Sequence, residues 1–163
     1  MIYCKNCILP DTRPNIYILT SGICTACHSF NLKKNIDWNK KEKEFKKLAK
    51  ILKSKNNIYD CLIPVSGGKD STWQVYVMKK KHKMNPLAIT FDQFDQTPEG
   101  LRCLEVLRSI GVDHVHFTLN PNVVKKLVLK AFELLGDHYW VNHVGIFTVP
   151  YHFAVMFDIP LVM

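Results

Sequence analysis

Several things are scarce in this 163-residue chain, and each scarcity excludes something. The opening Met1-Ile2-Tyr3-Cys4 has no basic stretch followed by an apolar one, which argues against a secretory leader. No segment is uniformly apolar over the length of a membrane. His138 to Phe157 lacks Asp, Glu, Lys and Arg, but three histidines, Asn142, Thr148 and Pro150 interrupt it. It therefore reads as a buried helix rather than a span. A cytoplasmic location is the expectation. No internal repeat is visible. Acidic residues are few, 14 against 22 Lys and Arg, for a net charge of +8. The imbalance is local: between Lys33 and Lys55, ten lysines face only Asp37, Glu42 and Glu44. One reading is a solvated helix face; the other is a patch that meets RNA, an acidic sugar nucleotide or an acidic partner.

Cysteine is absent after Cys103. Of the six cysteines, four form two pairs: Cys4-x2-Cys7, sixteen intervening residues, then Cys24-x2-Cys27. Such knuckles bring four thiolates around one tetrahedral ion. Four soft sulfur ligands with no open position favour structural zinc over an iron–sulfur cluster or a redox pair. His28 adjoins Cys27 and reads as a bystander. Cys61 and Cys103 are isolated and read as small core residues.

Beyond this module the pattern alternates. Asp37 caps a helix running to about Lys55, with Trp38, Phe45, Leu48 and Leu52 on one stripe and Asn56-Asn57 ending it. Tyr59–Val65, Leu87–Phe91, Val115–Phe117 and Ile159–Val162 read as strands. Ser71–Lys83 and Pro98–Ile110 read as helices. A further helix follows Asn120-Pro121, turns Val124, Leu127, Ala131 and Leu135 inward and stops at Gly136. A last one covers about Val144–Phe157, kinked at Pro150. Strands alternating with helices predict an α/β fold with a doubly wound parallel sheet, whose ligands bind beyond the carboxyl ends of the strands. The expected domains are a zinc ribbon over 1–32, a basic linker helix over 33–57 and a nucleotide-binding domain over 58–163. Ending directly on a strand, the chain reads as C-terminally incomplete.

One such strand end carries Ser66-Gly67-Gly68-Lys69-Asp70-Ser71. It is not a Walker loop: Ile63 stands where that motif needs its first glycine, and Asp70 follows Gly68-Lys69. The glycines still let backbone N–H groups approach phosphate oxygens at a helix N-terminus. Lys69 neutralises phosphate, Ser66 and Ser71 add hydroxyls, and Asp70 fits if magnesium lies between it and the phosphates. Ser-Gly-Gly-Lys-Asp-Ser resembles the PP-loop of the N-type ATP pyrophosphatase superfamily, with its adenine nucleotide alpha-hydrolase-like fold. The resemblance implies that ATP is held by its pyrophosphate part and AMP is transferred to a substrate oxygen. It also implies that backbone near Thr90, Phe91 and Asp92 holds the adenine.

Further stretches, among them "YCKNCILPDTRP", "GICTACHSF", "YDCLIPVSGGKDSTWQVYVMK", "GVDHVHFTLNPNVVKKL" and "GDHYWVNHVGIF", are similar to the N-acetyl sugar amidotransferases of O-antigen and pseudaminic- or legionaminic-acid biosynthesis. That resemblance implies an N-acetyl sugar or sugar-nucleotide substrate rather than a nucleic acid. Ammonia then comes from a separate glutaminase working with a cyclase-like partner. It assigns charge stabilisation to Lys69 with Asp70 and magnesium, and offers His143 as an acid or base. Family members continue beyond Met163. Two alternatives stand beside it: a tRNA sulfur transferase, disfavoured by the missing cysteines after Cys103, and an inert fragment that binds zinc and nucleotide.

Overall fold

The computed structural model describes residues 1–53, 58–94 and 96–163. They fall into two compact units, Met1–Glu44 and Phe45–Met163.

The first unit contains two tight knuckles. Antiparallel bridges join Tyr3 to Pro10 and Ile18 to Cys24, and helix α1 (Thr25–Leu32) follows directly. Cys4, Cys24 and Cys27 are buried among Leu9, Ile16, Ile18 and Ile23, so cysteine forms the centre of this unit. A short 3-10 turn, Lys33–Asn35, leads to α2 (Trp38–Lys53), inside which the unit boundary falls. Asp37 caps α2, accepting from the Lys40 amide at 2.9 Å. The expected apolar stripe is only half realised. Ala49 and Leu52 are buried, whereas Trp38 is 64% and Leu48 42% exposed. The expected end at Lys55 and Asn56-Asn57 lies outside the described residues.

The second unit is built on three parallel strands, β1 (Cys61–Pro64), β2 (Pro86–Phe91) and β3 (Asp113–Phe117), in the order β1-β2-β3. Leu62 pairs with Leu87, and Leu87 with Asp113. Alternation along the strands sends side chains to two cores. Cys61, Ile63, Val65 and Ala88 pack with Val75, Met78, Leu104 and Leu107 from one layer of helices. Leu62, Leu87 and Ile89 pack on the other face with Ala154 and Ile159. Both faces are thus covered, as parallel sheets require, and the expected doubly wound α/β architecture is present.

Helix α3 (Lys69–Tyr76) runs on into a π turn, Val77–Lys81, where His82 donates to the Val77 carbonyl. The sequence predicts one helix here, and the widened turn ends it before Lys83. Helix α4 (Pro98–Ile110) is capped by the Thr97 hydroxyl and closed by Gly111 at φ 81°. Helix α5 (Pro121–Leu135) is capped by Asn120 and stops at Gly136, as its sequence predicts. Its inward stripe is narrower than expected: Val124 and Ala131 are buried, but Leu127 and Leu135 are 44% and 59% exposed. Helix α6 (Trp140–Met156) starts four residues before Val144, because no capping residue marks its entry in sequence. Pro150 sits inside it. The expected fourth strand is reduced to one bridge, Leu62 with Val162, on the side of β1 opposite β2. The chain therefore reverses its direction of travel across the sheet at β1. Among the described residues, no helix is long and apolar enough to cross a membrane.

Candidate functional site: a glycine loop at the sheet's switch point

The reversal at β1 creates a crevice beyond its carboxyl end, where open α/β sheets bind ligands. The Ser66–Ser71 loop lies there. Gly67 is buried with φ at +80°, and a Cβ on it would stand 2.4 Å from the Gly100 carbonyl oxygen at the start of α4. Only glycine permits that conformation and that approach. Gly68 takes an extended φ of −77° and enters α3 with no side-chain cap, which leaves the first amides of the helix to an external acceptor. The Ser71 and Thr72 hydroxyls both donate to the Gly68 carbonyl, at 3.2 and 3.0 Å, and fix the turn from below. Lys69 and Asp70 project outward, 90% and 89% exposed, paired at 2.9 Å. So exposed a pair is weak and rearranges at little cost.

Two hollows adjoin this loop and share Ser66 and Gln93. One, of about 310 Å³, is mainly apolar, with Val65, Ile89, Phe91, Phe147 and Tyr151 among its walls. Ile146 also lines it, and Pro150 deprives the Ile146 carbonyl of its ordinary helical donor. The other, of about 500 Å³, is the more polar of the two and includes Gly67, Gly68, Gln96, Glu99 and Tyr139. The Tyr139 hydroxyl donates to Gln93 Oε1 at 2.6 Å across 46 residues of sequence. An apolar hollow and a polar one meeting at a glycine loop suit a nucleoside joined to phosphates. Glycines 67 and 68, exposed Lys69 and Asp70, and uncapped amides are a donor set that fits ATP with a divalent cation.

The residues expected at the end of the second strand differ in use. The Thr90 side chain is buried: its hydroxyl donates to the Val65 carbonyl at 2.9 Å and lies 2.8 Å from His114 Nε2. Phe91 lines the apolar hollow, its ring against Gly145, where a Cβ would come within 2.2 Å. Asp92 shapes the turn. Its carboxylate accepts from the Phe94 amide at 2.9 Å and the Thr118 hydroxyl at 3.2 Å. His143 is exposed on α6, its ring 5.2 Å from that of Tyr139. Cys103, expected to be an ordinary core residue, is exposed and lines the polar hollow beside Gly67 and Gly68. A helical position facing the α3–α4 gap carries no signal in sequence. Cys61 is fully buried, and burial and then Asp60 push its thiol up to about 12, so it is inert.

In the first unit, Cys4, Cys7, Cys24 and Cys27 place their sulfurs within 4.8 Å of one another. Cys4 and Cys27 sulfurs are 3.9 Å apart, Cys7 and Cys24 3.6 Å. A tetrahedral ion with bonds of ~2.3 Å sets its sulfurs about 3.8 Å apart. The Cys24 and Asn6 amides donate to Cys4 Sγ at 3.2 and 3.4 Å, and Asn6 Nδ2 to Cys27 Sγ at 3.2 Å. Burial raises the Cys4 thiol, but donation from the Cys7, Cys24 and Asn6 amides outweighs it and holds it at about 6. For Cys7 the Leu9 amide lowers the thiol, yet the crowd of neighbouring thiols and burial push it up to about 12. These four thiols can hold a metal such as zinc.

No family model matches the chain. An uncharacterized protein of Methanocaldococcus jannaschii is 33% identical over 112 residues, 68% of this chain and 40% of that protein. The chain thus spans about 40% of the length of the curated relative it matches. Among solved structures, an NMN synthetase from Francisella tularensis superposes with TM-score 0.52 at 15% identity, over 73% of this chain and 52% of the other. An NH3-dependent NAD synthetase from Campylobacter jejuni, in complex with the nitrate ion, superposes with TM-score 0.55 at 15% identity, over 77% and 56%. The second unit therefore has the parallel α/β fold seen in these synthetases.

Proposed function

We propose that the chain carries the ATP-binding half of an AMP-forming amidotransferase, acting on the N-acetyl group of a sugar in surface-polysaccharide or nonulosonic-acid biosynthesis. The observation that carries this reading is the Gly67-Gly68-Lys69-Asp70 loop at the switch point of the sheet, flanked by an apolar and a polar hollow. Gly67, Gly68 and the first amides of α3 hold the pyrophosphate part of ATP. Lys69 balances its charge, and Asp70 would hold magnesium, which would draw electron density from the departing pyrophosphate. The apolar hollow takes the adenosine. With pyrophosphate gripped, the α-phosphate is left open to attack by the amide oxygen of the acceptor. Adenylation makes AMP the leaving group, and ammonia then adds to the imidate carbon to give an acetamidino group. A nitrogen source of this kind is in keeping with the NH3-dependent synthetase whose fold the chain shares. His143, whose ring lies 5.2 Å from that of Tyr139, takes the proton ammonia loses. A glutaminase and a cyclase-like protein supply the ammonia, and zinc organises residues 4–27.

The test uses the full-length gene product with ATP, magnesium, ammonia and N-acetyl sugars. An amidinated sugar with equimolar AMP is expected, and Lys69→Ala should lower the rate by about a hundredfold. A second reading, sulfur transfer to tRNA, is favoured by one observation: Cys103 lines the polar hollow. If Cys103→Ser abolishes a tRNA-dependent and sugar-independent release of AMP, that reading replaces the first.

A further inference from the structure

The seam between the two hollows is lined by Ser66 and Gln93. Gln93 is the first residue past the sheet: the Asp92 amide still donates to the Phe117 carbonyl at 2.9 Å, one link beyond β2. The chain then turns sharply, with Phe94 at φ 64°, a left-handed value that a bulky residue seldom takes. Asp92 holds that turn by accepting from the Phe94 amide at 2.9 Å. Tyr139, whose own amide donates to Asp137 Oδ1 at 2.8 Å, gives its hydroxyl proton to Gln93 Oε1 at 2.6 Å. The side-chain amide of Gln93 is therefore anchored by its oxygen. Its nitrogen, on the other branch of the amide carbon, donates to none of the described residues. A tie between the end of β2 and the entry of α6 accounts for the oxygen alone.

What passes this seam follows from the function proposed above, on which the inference rests. Adenosine in the apolar hollow and pyrophosphate at the glycine loop are joined through the α-phosphate, so the α-phosphate lies at the seam. Attack on it concentrates charge on its non-bridging oxygens, and donors fixed in advance stabilise that charge. No Lys, Arg or His is among the described residues lining either hollow. A neutral amide whose oxygen is already taken presents N–H groups alone. An untethered glutamine could equally turn its oxygen toward the phosphate. The Tyr139 hydroxyl, by donating, holds the N–H groups forward.

We propose that Gln93 is a catalytic residue, donating from Nε2 to a non-bridging oxygen of the α-phosphate, and that Tyr139 is its positioning residue. As the acceptor oxygen bonds to the α-phosphorus, the bond to the bridging oxygen breaks and its electron pair leaves with pyrophosphate. Gln93 neither gains nor loses a proton. The conservative variant separates this role from a structural tie. Gln93→Glu keeps an oxygen for Tyr139 but turns a carboxylate oxygen to the phosphate, whereas Gln93→Met loses the tie and adds no charge. In the full-length gene product with saturating acceptor, Gln93→Met should lower kcat for AMP release about a hundredfold, with the KM for ATP little changed. Gln93→Glu should be slower still; a structural tie predicts the reverse order. Tyr139→Phe should cost about tenfold in the parent and nothing further in Gln93→Met. A second readout needs no turnover: the Gln93 side-chain amide resonances of the whole chain, assigned by their loss in Gln93→Met. With magnesium, α,β-methylene-ATP should move them. Adenosine with pyrophosphate, which fills both hollows without an α-phosphate, should not. The inference is overturned if both additions move the resonances or neither does, or if Gln93→Glu is at least as active as Gln93→Met. AMP release that ignores Gln93 leaves the proposed function standing and removes this inference. Resonances that move only with α,β-methylene-ATP, in a protein that turns ATP over to ADP, would do the opposite.

Discussion

At the scale of single residues, the loop rests on glycine chemistry that differs between neighbours. Gly67 combines a left-handed φ with a backbone carbonyl where its Cβ would go. Gly68 has an extended φ, and its nearest obstacle is the Ser66 hydroxyl at 3.4 Å. Gly67→Ala should therefore destabilise the chain by about 1–3 kcal/mol and remove nucleotide binding. Gly68→Ala should melt close to the parent. Paired thermal melts check this, and equal melting of the two variants would contradict it. Sequence alone singled out both glycines by their place beside Lys69 but could not rank them, since the ranking depends on Gly100, some thirty residues away. The same limit hid the Tyr139–Gln93 hydrogen bond and the exposure of Cys103. Each depends on which helix faces lie together, and neither changes the local pattern.

Among elements, β1 and β2 were legible because buried parallel strands are short apolar runs bounded by turn residues. The caps of α5 were legible for a local reason too: Asn120 and Gly136 act within one turn. The entry of α6 was not, because Tyr139 makes no side-chain cap. The inward stripe of α5 was over-read, since periodicity gives the apolar side of a helix but not the depth to which it is covered. β3 carries a further consequence. His114 is half-buried against Thr90, and burial, then His116, holds its pKa below the ordinary 6.5. Above that value both folded and unfolded chains have it neutral. As pH falls through about 6.5 toward the depressed value, the unfolded chain takes up a proton that the folded chain resists, and stability is lost. His114→Gln should flatten this part of the acid slope. Urea midpoints for both proteins at pH of about 7.5 and 5.5 measure it, and parallel losses would show that His114 is not the cause.

At the scale of the whole molecule, two units answer to different forces. The second has sheet faces buried in two cores. The first centres on cysteine, with a few aliphatic side chains around it. Structural zinc supplies on the order of 10 kcal/mol to modules of this kind. The purified protein should contain one zinc per chain. A strong chelator should expose Met1–Glu44 to protease while amides of β1 and β2 keep their exchange protection. Iron, or no metal at all, in elemental analysis would rule out this account of the first unit. The spacing of the cysteines made their cluster readable from sequence, because a ligand pattern is local.

The proposed grip of the switch-point loop on the pyrophosphate of ATP leaves the α-phosphate open. It is tested most directly by identifying the products of ATP turnover by the full-length gene product with magnesium, ammonia and acceptor. AMP and pyrophosphate, formed about a hundredfold more slowly in Lys69→Ala, are the predicted result. ADP and orthophosphate would contradict it.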